Sequence, residues 1–173
     1  MTKLIVMMGL QGSGKSTIAY ELSKQLRIPI FSVDPIHSAI LNAGIKESFE
    51  AGYADYLVAE KLADENLAHN ISIIIDASNY VNEAHQLWEK LAAKHNVPLK
   101  VIECRLDNDV HAQRIENRVR KIKSVKEVKW EDVQKRKTES VPWSVDKLVI
   151  DTTMDIQTNI DKVVGYVLKN KNE

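Results

Sequence analysis

A glycine-rich segment near the start of the chain has the residue types and spacing of a phosphate-binding loop. Residues 9–17 read Gly-Leu-Gln-Gly-Ser-Gly-Lys-Ser-Thr and fill every position of the pattern G-x-x-x-x-G-K-[ST]. In such a loop the glycines let consecutive backbone N–H groups turn toward phosphate oxygens. The pattern predicts that Lys15 reaches the β- and γ-phosphates of a nucleoside triphosphate and that the Ser16 hydroxyl is a ligand of Mg²⁺. The predicted nucleotide-binding residues are Gly9, Gln11, Gly12, Ser13, Gly14, Lys15, Ser16 and Thr17.

The segments on either side of the loop have to position it. Residues 3–8 form a short apolar run of strand length, and Ile18, Leu22 and Leu26 recur every four residues after the loop. That spacing is typical of one face of a helix. The sequence therefore predicts a buried strand, the loop and an amphipathic helix, whose N-terminal N–H groups and dipole favour the same anion.

The rest of the chain alternates predicted strands with predicted helices. Strands are expected at residues 29–33, 71–76, 99–105 and 147–151, and helices at residues 49–69, 82–95, 109–122 and 156–168. Residues 71–75 are almost continuously apolar, as expected when both faces of a parallel sheet are covered. We therefore predict an α/β fold, a three-layer α/β/α sandwich with about five parallel strands, of the P-loop nucleoside-triphosphate hydrolase type.

The overall composition limits the classes of protein that fit. A length of 173 residues suits a single domain over residues 1–173. The 24 basic and 24 acidic side chains cancel, so nothing global attracts nucleic acid or an anionic membrane. Cys104 is the only cysteine, which excludes an internal disulfide and a cysteine-based zinc site; its apolar surroundings predict a buried thiol. The N-terminal apolar run is too short for a signal peptide or membrane span, so we expect a soluble, cytoplasmic protein.

Two aspartates follow predicted strands, at the edge of a parallel sheet where ligands bind. Asp76 ends the most apolar strand and is the predicted second Mg²⁺ ligand, opposite Ser16. Asp34 follows residues 29–33 and is the predicted base that accepts the proton of an attacking hydroxyl, if its strand lies farther from the loop. The alternative for Asp34 is a cap on a helix beginning at Pro35.

A basic region follows Cys104 along the chain. Arg114 and Arg118 are four residues apart and are predicted to share a helix face as catalytic cations. Residues 118–137 contain nine Lys or Arg and three acidic residues, a net charge of +6. We interpret this stretch as a mobile basic lid that closes over the triphosphate. A solvated helical hairpin and a nucleic-acid contact are the alternatives, although Trp130 is its only aromatic residue.

The acceptor side is less defined by the sequence. His37 lies one helical turn after Asp34 and, with Ser78 and Asn79, is a candidate to contact the acceptor. The other four histidines show no metal-ligand spacing, and we predict surface or capping positions for them. These are His69, His85, His95 and His111.

On these residues the chain resembles the small P-loop kinases related to polynucleotide kinase, zeta-type toxins and chloramphenicol phosphotransferase. The matching pieces are the loop at residues 9–17, Ser32-Val33-Asp34, Asp76-Ala77-Ser78-Asn79, and the Arg114/Arg118 pair before a basic stretch. The resemblance implies that Asp34 activates the acceptor hydroxyl and that the lid arginines stabilise the transferring phosphate. One departure is His37, where polynucleotide kinase has an arginine that engages the acceptor's phosphate; this argues against a nucleic-acid end as acceptor.

Three functions remain after motifs typical of switch GTPases, transporter ATPases, shikimate kinases and adenylate kinases prove absent from the sequence. The first is an ATP- and Mg²⁺-dependent kinase that phosphorylates a hydroxyl of a small molecule. The second is a nucleic-acid 5′-hydroxyl kinase, which would use the basic stretch to hold phosphates. The third is a nucleotide-binding regulatory module with slow ATP hydrolysis. None of the three involves a membrane partner.

Overall fold

A five-stranded parallel sheet lies at the centre of the computed structural model, which describes residues 1–117 and 128–169. The strands are β1 (Leu4–Met8), β2 (Ile30–Ser32), β3 (Ile73–Asp76), β4 (Leu99–Arg105) and β5 (Lys147–Asp151). Their order across the sheet is β2-β3-β1-β4-β5. The strand that carries Asp76 is thus hydrogen-bonded to the strand before the loop, and β2 lies one position farther out.

Helices cover both faces of this sheet. They are α1 (Lys15–Leu26), α2 (Val33–Asn42), α3 (Phe49–Ala68), α4 (Asn82–Lys94), α5 (Asn108–Glu116), α6 (Trp130–Glu139) and α7 (Ile156–Leu168). Alternate residues of β1 pack into two apolar cores: Leu4 and Val6 with α3 and α4, and Ile5 and Met7 with α1 and α7. The predicted three-layer α/β/α sandwich with parallel strands is confirmed.

The apolar spacing identified most of the buried helix faces. Ile18 and Leu22 of α1 are buried, as are the residues of α7 that recur every three or four positions, Ile160, Val163 and Val167. Ile156, the first residue of α7, is by contrast 45% exposed. Cys104 is buried as predicted, and burial raises the pKa of its thiol to about 12.

Some boundaries differ from the sequence prediction. Strand β3 begins at Ile73, two residues late, because Asn70 has a left-handed φ of 60° and the N–H of Ile71 bonds back to Asn66 O at 3.0 Å. The chain is still closing α3 at these positions. Helix α2 begins at Val33, directly after β2 and before Pro35. Helix α5 ends at Glu116, and residues 118–122 of its predicted length lie outside the described residues.

Candidate functional site

Three positions of the glycine-rich loop have a backbone conformation that only glycine adopts easily. Gly9, Gly12 and Gly14 have φ values of 150°, 79° and 87°. A Cβ atom on Gly9 would lie 2.6 Å from the backbone oxygen of Cys104, so a side chain there has no room. Gly14 is the N-cap of α1 and offers no side chain to its first N–H groups. A helix start without a side-chain cap is typical of a phosphate site.

A cavity of about 460 Å³ opens at the carboxyl ends of the strands. Its wall includes Gln11, Gly12, Gly14, Lys15, Ser16 and Thr17 of the loop, together with Asp34, Asp76, Ser78, Arg114 and Thr152. Lys15 is only 8% exposed, and its Nζ donates a hydrogen bond to Leu10 O at 3.0 Å. The loop and both predicted aspartates thus meet in one space.

The two aspartates occupy different depths of this cavity. Asp76 is buried at the end of β3 and pairs in register with Met7 of β1 and Ser32 of β2. The Ser32 hydroxyl donates a hydrogen bond to Asp76 Oδ2 at 3.2 Å and orients that carboxylate. Asp34 is the second residue of α2, which follows the outer strand β2. Asp34 therefore comes from an element one strand farther from the loop than Asp76.

Arg114 reaches the cavity from α5. Its guanidinium donates hydrogen bonds to Thr152 Oγ1 at 3.2 Å and to Thr152 O at 2.9 Å. Thr152 in turn lies against the loop, 3.3 Å from where a Cβ of Gly14 would be. Arg118 and residues 118–127 of the predicted lid lie outside the described residues. The described remainder of the lid forms most of α6, and Lys137 Nζ there donates to Asn108 Oδ1 of α5 at 2.9 Å.

The three acceptor candidates have different surroundings. Ser78 lines the cavity. His37 does not: its Nδ1 lies 2.8 Å from Oδ2 of Asp55, a buried residue of α3 whose pKa is raised by desolvation. Asn79 is fully buried, donating from Nδ2 to Met7 O at 2.6 Å and accepting from Trp88 Nε1 at 2.8 Å. Its amide is engaged inside the protein, so its contacts favour a structural role over acceptor binding.

Two histidines are in positions that the sequence prediction got wrong. His85 and His111 are each 3% exposed and belong to the interior, not to the surface. His85 stacks on Trp143 with ring centroids 4.3 Å apart, while His111 Nε2 lies 2.6 Å from Gln11 O in the loop. Burial lowers the pKa of both side chains. Aromatic and loop contacts provide the burial that their sequence positions did not indicate.

The donor set suits a magnesium nucleotide. Among residues 1–117 and 128–169, no group of three or more His, Cys, Asp or Glu side chains could hold a metal ion alone. Mg²⁺ typically takes one or two protein oxygens and completes its octahedron with water and phosphate oxygens. The Ser16 hydroxyl and the Asp76 carboxylate, on one cavity wall beside the uncapped start of α1, match that requirement.

Comparison with known proteins agrees with this geometry. The profile of the AAA_33 family, described as an AAA domain, matches residues 4–139, which include the loop, both aspartates and Arg114. The chain belongs to the AAA_33 family. No curated protein matches it in a sequence comparison. Within the described residues of this AAA_33 protein, no helix is long and apolar enough to cross a membrane.

Several solved kinase structures share the fold of this AAA_33 protein. A putative kinase from Chloroflexus aurantiacus is 20% identical, with a TM-score of 0.75 over 96% of each chain. A sugar kinase from Janibacter sp. HTCC2649 is 18% identical, with a TM-score of 0.72 over 96% of this chain and 95% of that one. The APS kinase of Mycobacterium tuberculosis in complex with AMPPNP and APS is 16% identical, with a TM-score of 0.69 over 97% and 98%. These similarities show that the chain shares the fold of these proteins.

Two residues of this AAA_33 site were missed in the sequence analysis. Ser32 was noted only as part of a strand end, yet it holds Asp76 through a hydrogen bond. His111 is predicted at a surface or capping position, yet it is buried and contacts the loop. The spacing of His111, Arg114 and Ile115, which places them on one helix face, was the available signal for the second. The role of Ser32 could be predicted only from the order of the strands, which places Ser32 beside Asp76.

Proposed function

We propose that this AAA_33 protein is a kinase that transfers the γ-phosphate of ATP to a hydroxyl group of a small molecule, with Mg²⁺ as cofactor. The observation that carries the proposal is one cavity lined by the phosphate loop, by Asp76 and by Asp34. Nucleotide binding alone requires only the phosphate loop and Asp76. A third group, a carboxylate on an element farther from the loop, is what an acceptor hydroxyl needs.

The donor half of the proposed site holds the triphosphate. Backbone N–H groups of residues 9–17 and the start of α1 would bind phosphate oxygens, with Lys15 and Arg114 adding positive charge. Ser16 and Asp76 would hold Mg²⁺, which neutralises phosphate charge and helps to orient the phosphates when it is bound. The Ser32 hydroxyl supports this role by orienting Asp76.

The acceptor half of the proposed site supplies the base. As the acceptor oxygen forms its bond to the γ-phosphorus, the bond from that phosphorus to the β–γ bridging oxygen breaks and ADP leaves. The hydroxyl proton passes to the Asp34 carboxylate. Positioned general bases typically contribute about 10²- to 10⁴-fold in rate. Ser78, which lines the cavity with Asp34, would contact the acceptor, and the His37–Asp55 pair would support α2, the helix that carries Asp34.

The remaining parts of the proposal concern the lid and the kind of acceptor. We propose that residues 118–137, including Arg118, close over the cavity of a single kinase domain spanning residues 1–173 in the cytoplasm. Structural neighbours named as a sugar kinase and an APS kinase bound to AMPPNP and APS support a small-molecule acceptor and ATP as donor. A nucleic-acid 5′-hydroxyl remains the second candidate because residues 118–137 carry a net charge of +6.

A transfer assay with γ-labelled ATP and Mg²⁺ tests the proposal. The acceptors are pooled sugars, polyols, amino alcohols and hydroxyl-bearing antibiotics, beside DNA and RNA with 5′-hydroxyl ends. Asp34→Asn is run in parallel, with Asp161→Asn as the matched control because Asp161 is exposed on α7, where it accepts a hydrogen bond from Gln157 Nε2 at 2.8 Å.

Label on a small molecule that is lost in Asp34→Asn and retained in Asp161→Asn is the expected result. Label on nucleic-acid ends would promote the second candidate. Tight ATP binding with no transferred label, and equal ATP turnover in Asp34→Asn, would contradict the kinase proposal and favour the regulatory module.

A further inference from the structure

Helix α5 supports the phosphate loop with three residues of one face. His111 contacts the Gln11 carbonyl, and Ile115 lies beside Gly12, with Cδ1 2.7 Å from where a Cβ of that glycine would be. Arg114 holds Thr152, which packs next to Gly14. Residues three and four apart share a helix face, so one short helix supports the loop at successive points.

The contact of His111 fixes the orientation of a peptide group. A carbonyl only accepts hydrogen bonds, so the His111 nitrogen 2.6 Å from Gln11 O is the protonated one, and Nε2–H donates. In a planar trans peptide the C=O and the following N–H point in opposite directions. Holding the Gln11 carbonyl on the α5 side therefore holds the N–H of Gly12 away from α5. Gly12 lines the cavity, so this orientation governs a donor that a phosphate would use.

The imidazole itself is held by a residue of α6. Trp130, the first residue of α6, meets His111 edge to face, with ring centroids 5.2 Å apart and an interplanar angle of 63°. Val133 of α6 is fully buried, and Lys137 is hydrogen-bonded to Asn108 of α5. Helix α6 is thus attached to α5 around the histidine. His111 is 3% exposed, and burial lowers its pKa, which favours the neutral imidazole; its contact with Gln11 O directs the Nε2–H at the loop.

We propose that His111 is a positioning residue for nucleotide binding, which holds the Gln11–Gly12 peptide in its phosphate-binding orientation while Trp130 fixes the imidazole ring. The inference rests on the proposed function for its nucleotide, and it goes further in assigning a role to a side chain outside the loop. This role of His111 also links the loop to α6, which contains most of the described part of the basic stretch.

Nucleotide affinity of the full chain tests this role. The dissociation constant for AMPPNP with Mg²⁺ is measured by calorimetry for the wild type, His111→Leu and His111→Gln, and thermal unfolding of each protein is recorded. Leucine fills the space without a donor, whereas the glutamine amide can still donate to the Gln11 carbonyl. The matched control is His69→Leu, because His69 is exposed at the end of α3. His111→Asn, whose amide is too short to reach the carbonyl, replaces the leucine variant if that variant does not fold.

We expect His111→Leu to weaken AMPPNP binding about tenfold, because nothing then holds the Gly12 N–H in its phosphate-binding orientation. His111→Gln and His69→Leu should stay within about threefold of the wild type. Trp130→Ala should weaken binding by about threefold, and Trp130→Phe, which retains an aromatic edge, by less.

Three results would overturn the inference. Folded His111→Leu with unchanged affinity would mean a purely structural residue, even if its thermal midpoint fell. Equal losses in the leucine and glutamine variants would mean that the N–H donor is not what matters. No AMPPNP binding by the wild type would overturn both this inference and the proposed function, whereas the first two results leave the proposed function intact.

Discussion

The two sides of the cavity are built in different ways. The proposed donor side comes mainly from one continuous segment, residues 9–17, whose backbone conformation is set by glycines and whose Lys15 and Ser16 follow in the same turn of chain. The proposed acceptor side combines Asp34 of α2 with Ser78 of the loop after β3, and α2 is in turn held to α3 by the His37–Asp55 pair outside the cavity lining. Its geometry depends on how separate helices pack.

This difference explains what each side can recognise. Backbone N–H groups and one lysine bind the phosphates that every nucleoside triphosphate has, so a fixed local motif suffices. Acceptors differ in shape and charge, and the side chains that meet them must come from elements that vary independently. Substitutions on the donor side should therefore change nucleotide affinity, and those on the acceptor side should change transfer alone.

Removing the loop lysine should give the largest effect on the donor side. Lys15→Met is expected to weaken AMPPNP binding by about 100-fold, since hydrogen bonds between an ammonium and phosphate are charge-assisted. Calorimetric titration measures this loss. Lys24→Met is the control on the same helix, because Lys24 is exposed and pairs with Glu21 at 2.6 Å. Equal AMPPNP affinities in Lys15→Met and Lys24→Met would contradict the assignment of Lys15 to nucleotide binding on the donor side.

A pair of glycine substitutions compares loop backbone with helix backbone. Gly9→Ala should destabilise the protein by about 1–3 kcal/mol, because the new Cβ meets a backbone oxygen that cannot easily move. Gly52→Ala, in α3 with nothing within 4 Å of the added Cβ, should instead stabilise it by about 0.5–1 kcal/mol. Urea unfolding of both variants provides the comparison. A stable Gly9→Ala protein with normal nucleotide affinity would show that the loop backbone is not constrained as described.

A smaller effect on stability is expected for Asp64, near the C-terminal end of α3. Asp64 accepts hydrogen bonds from Lys94 at 2.7 Å and lies 2.6 Å from His95 Nε2, and these contacts join α3 to α4. The hydrogen bond from Lys94 is the largest cause, and that with His95 the second, of a lowering of the pKa of Asp64 to about 2. Because the folded pKa lies below the ordinary value of 3.8, the stabilisation is complete above about pH 4 and is lost as the pH falls toward 2.

Asp64→Asn should therefore cost about 1 kcal/mol at pH 6 and progressively less below pH 4. Thermal midpoints of both proteins across that pH range measure the difference. AMPPNP affinity at pH 7 should not change, because α3 contributes no residue to the cavity lining. A constant difference in stability down to pH 3 would show that the carboxylate is not held in its charged form by these partners.

Local patterns predicted the fold and the position of the glycine-rich loop in it. The glycine spacing identified the loop, and the apolar runs located β4 and β5 to the residue. The ends of strands also identified Asp34 and Asp76 as neighbours of the loop, because parallel strands bring their carboxyl ends together. The sequence could not show that the strand before Asp34 lies farther from the loop than the strand of Asp76. That follows from the order β2-β3-β1 in the sheet.

Contacts between distant elements could not be predicted in the same way. The pairing of His37 with Asp55 requires α2 to pack on α3, and the burial of His85 requires Trp143 to lie over it. Asn79 looked like an acceptor residue because it follows Asp76 closely, but its left-handed φ of 55° turns its amide toward β1 and Trp88. Such side-chain partners depend on tertiary packing, which no local spacing encodes.

The central claim is that Asp34 serves transfer and not nucleotide binding. The most direct test measures, in the same preparations of wild type and Asp34→Asn, both AMPPNP affinity and the rate of label transfer to the acceptor identified in the panel. We predict that transfer falls by about 10²- to 10⁴-fold while affinity stays within about threefold. Unchanged transfer in the variant, or a loss of affinity as large as the loss of transfer, would contradict the account.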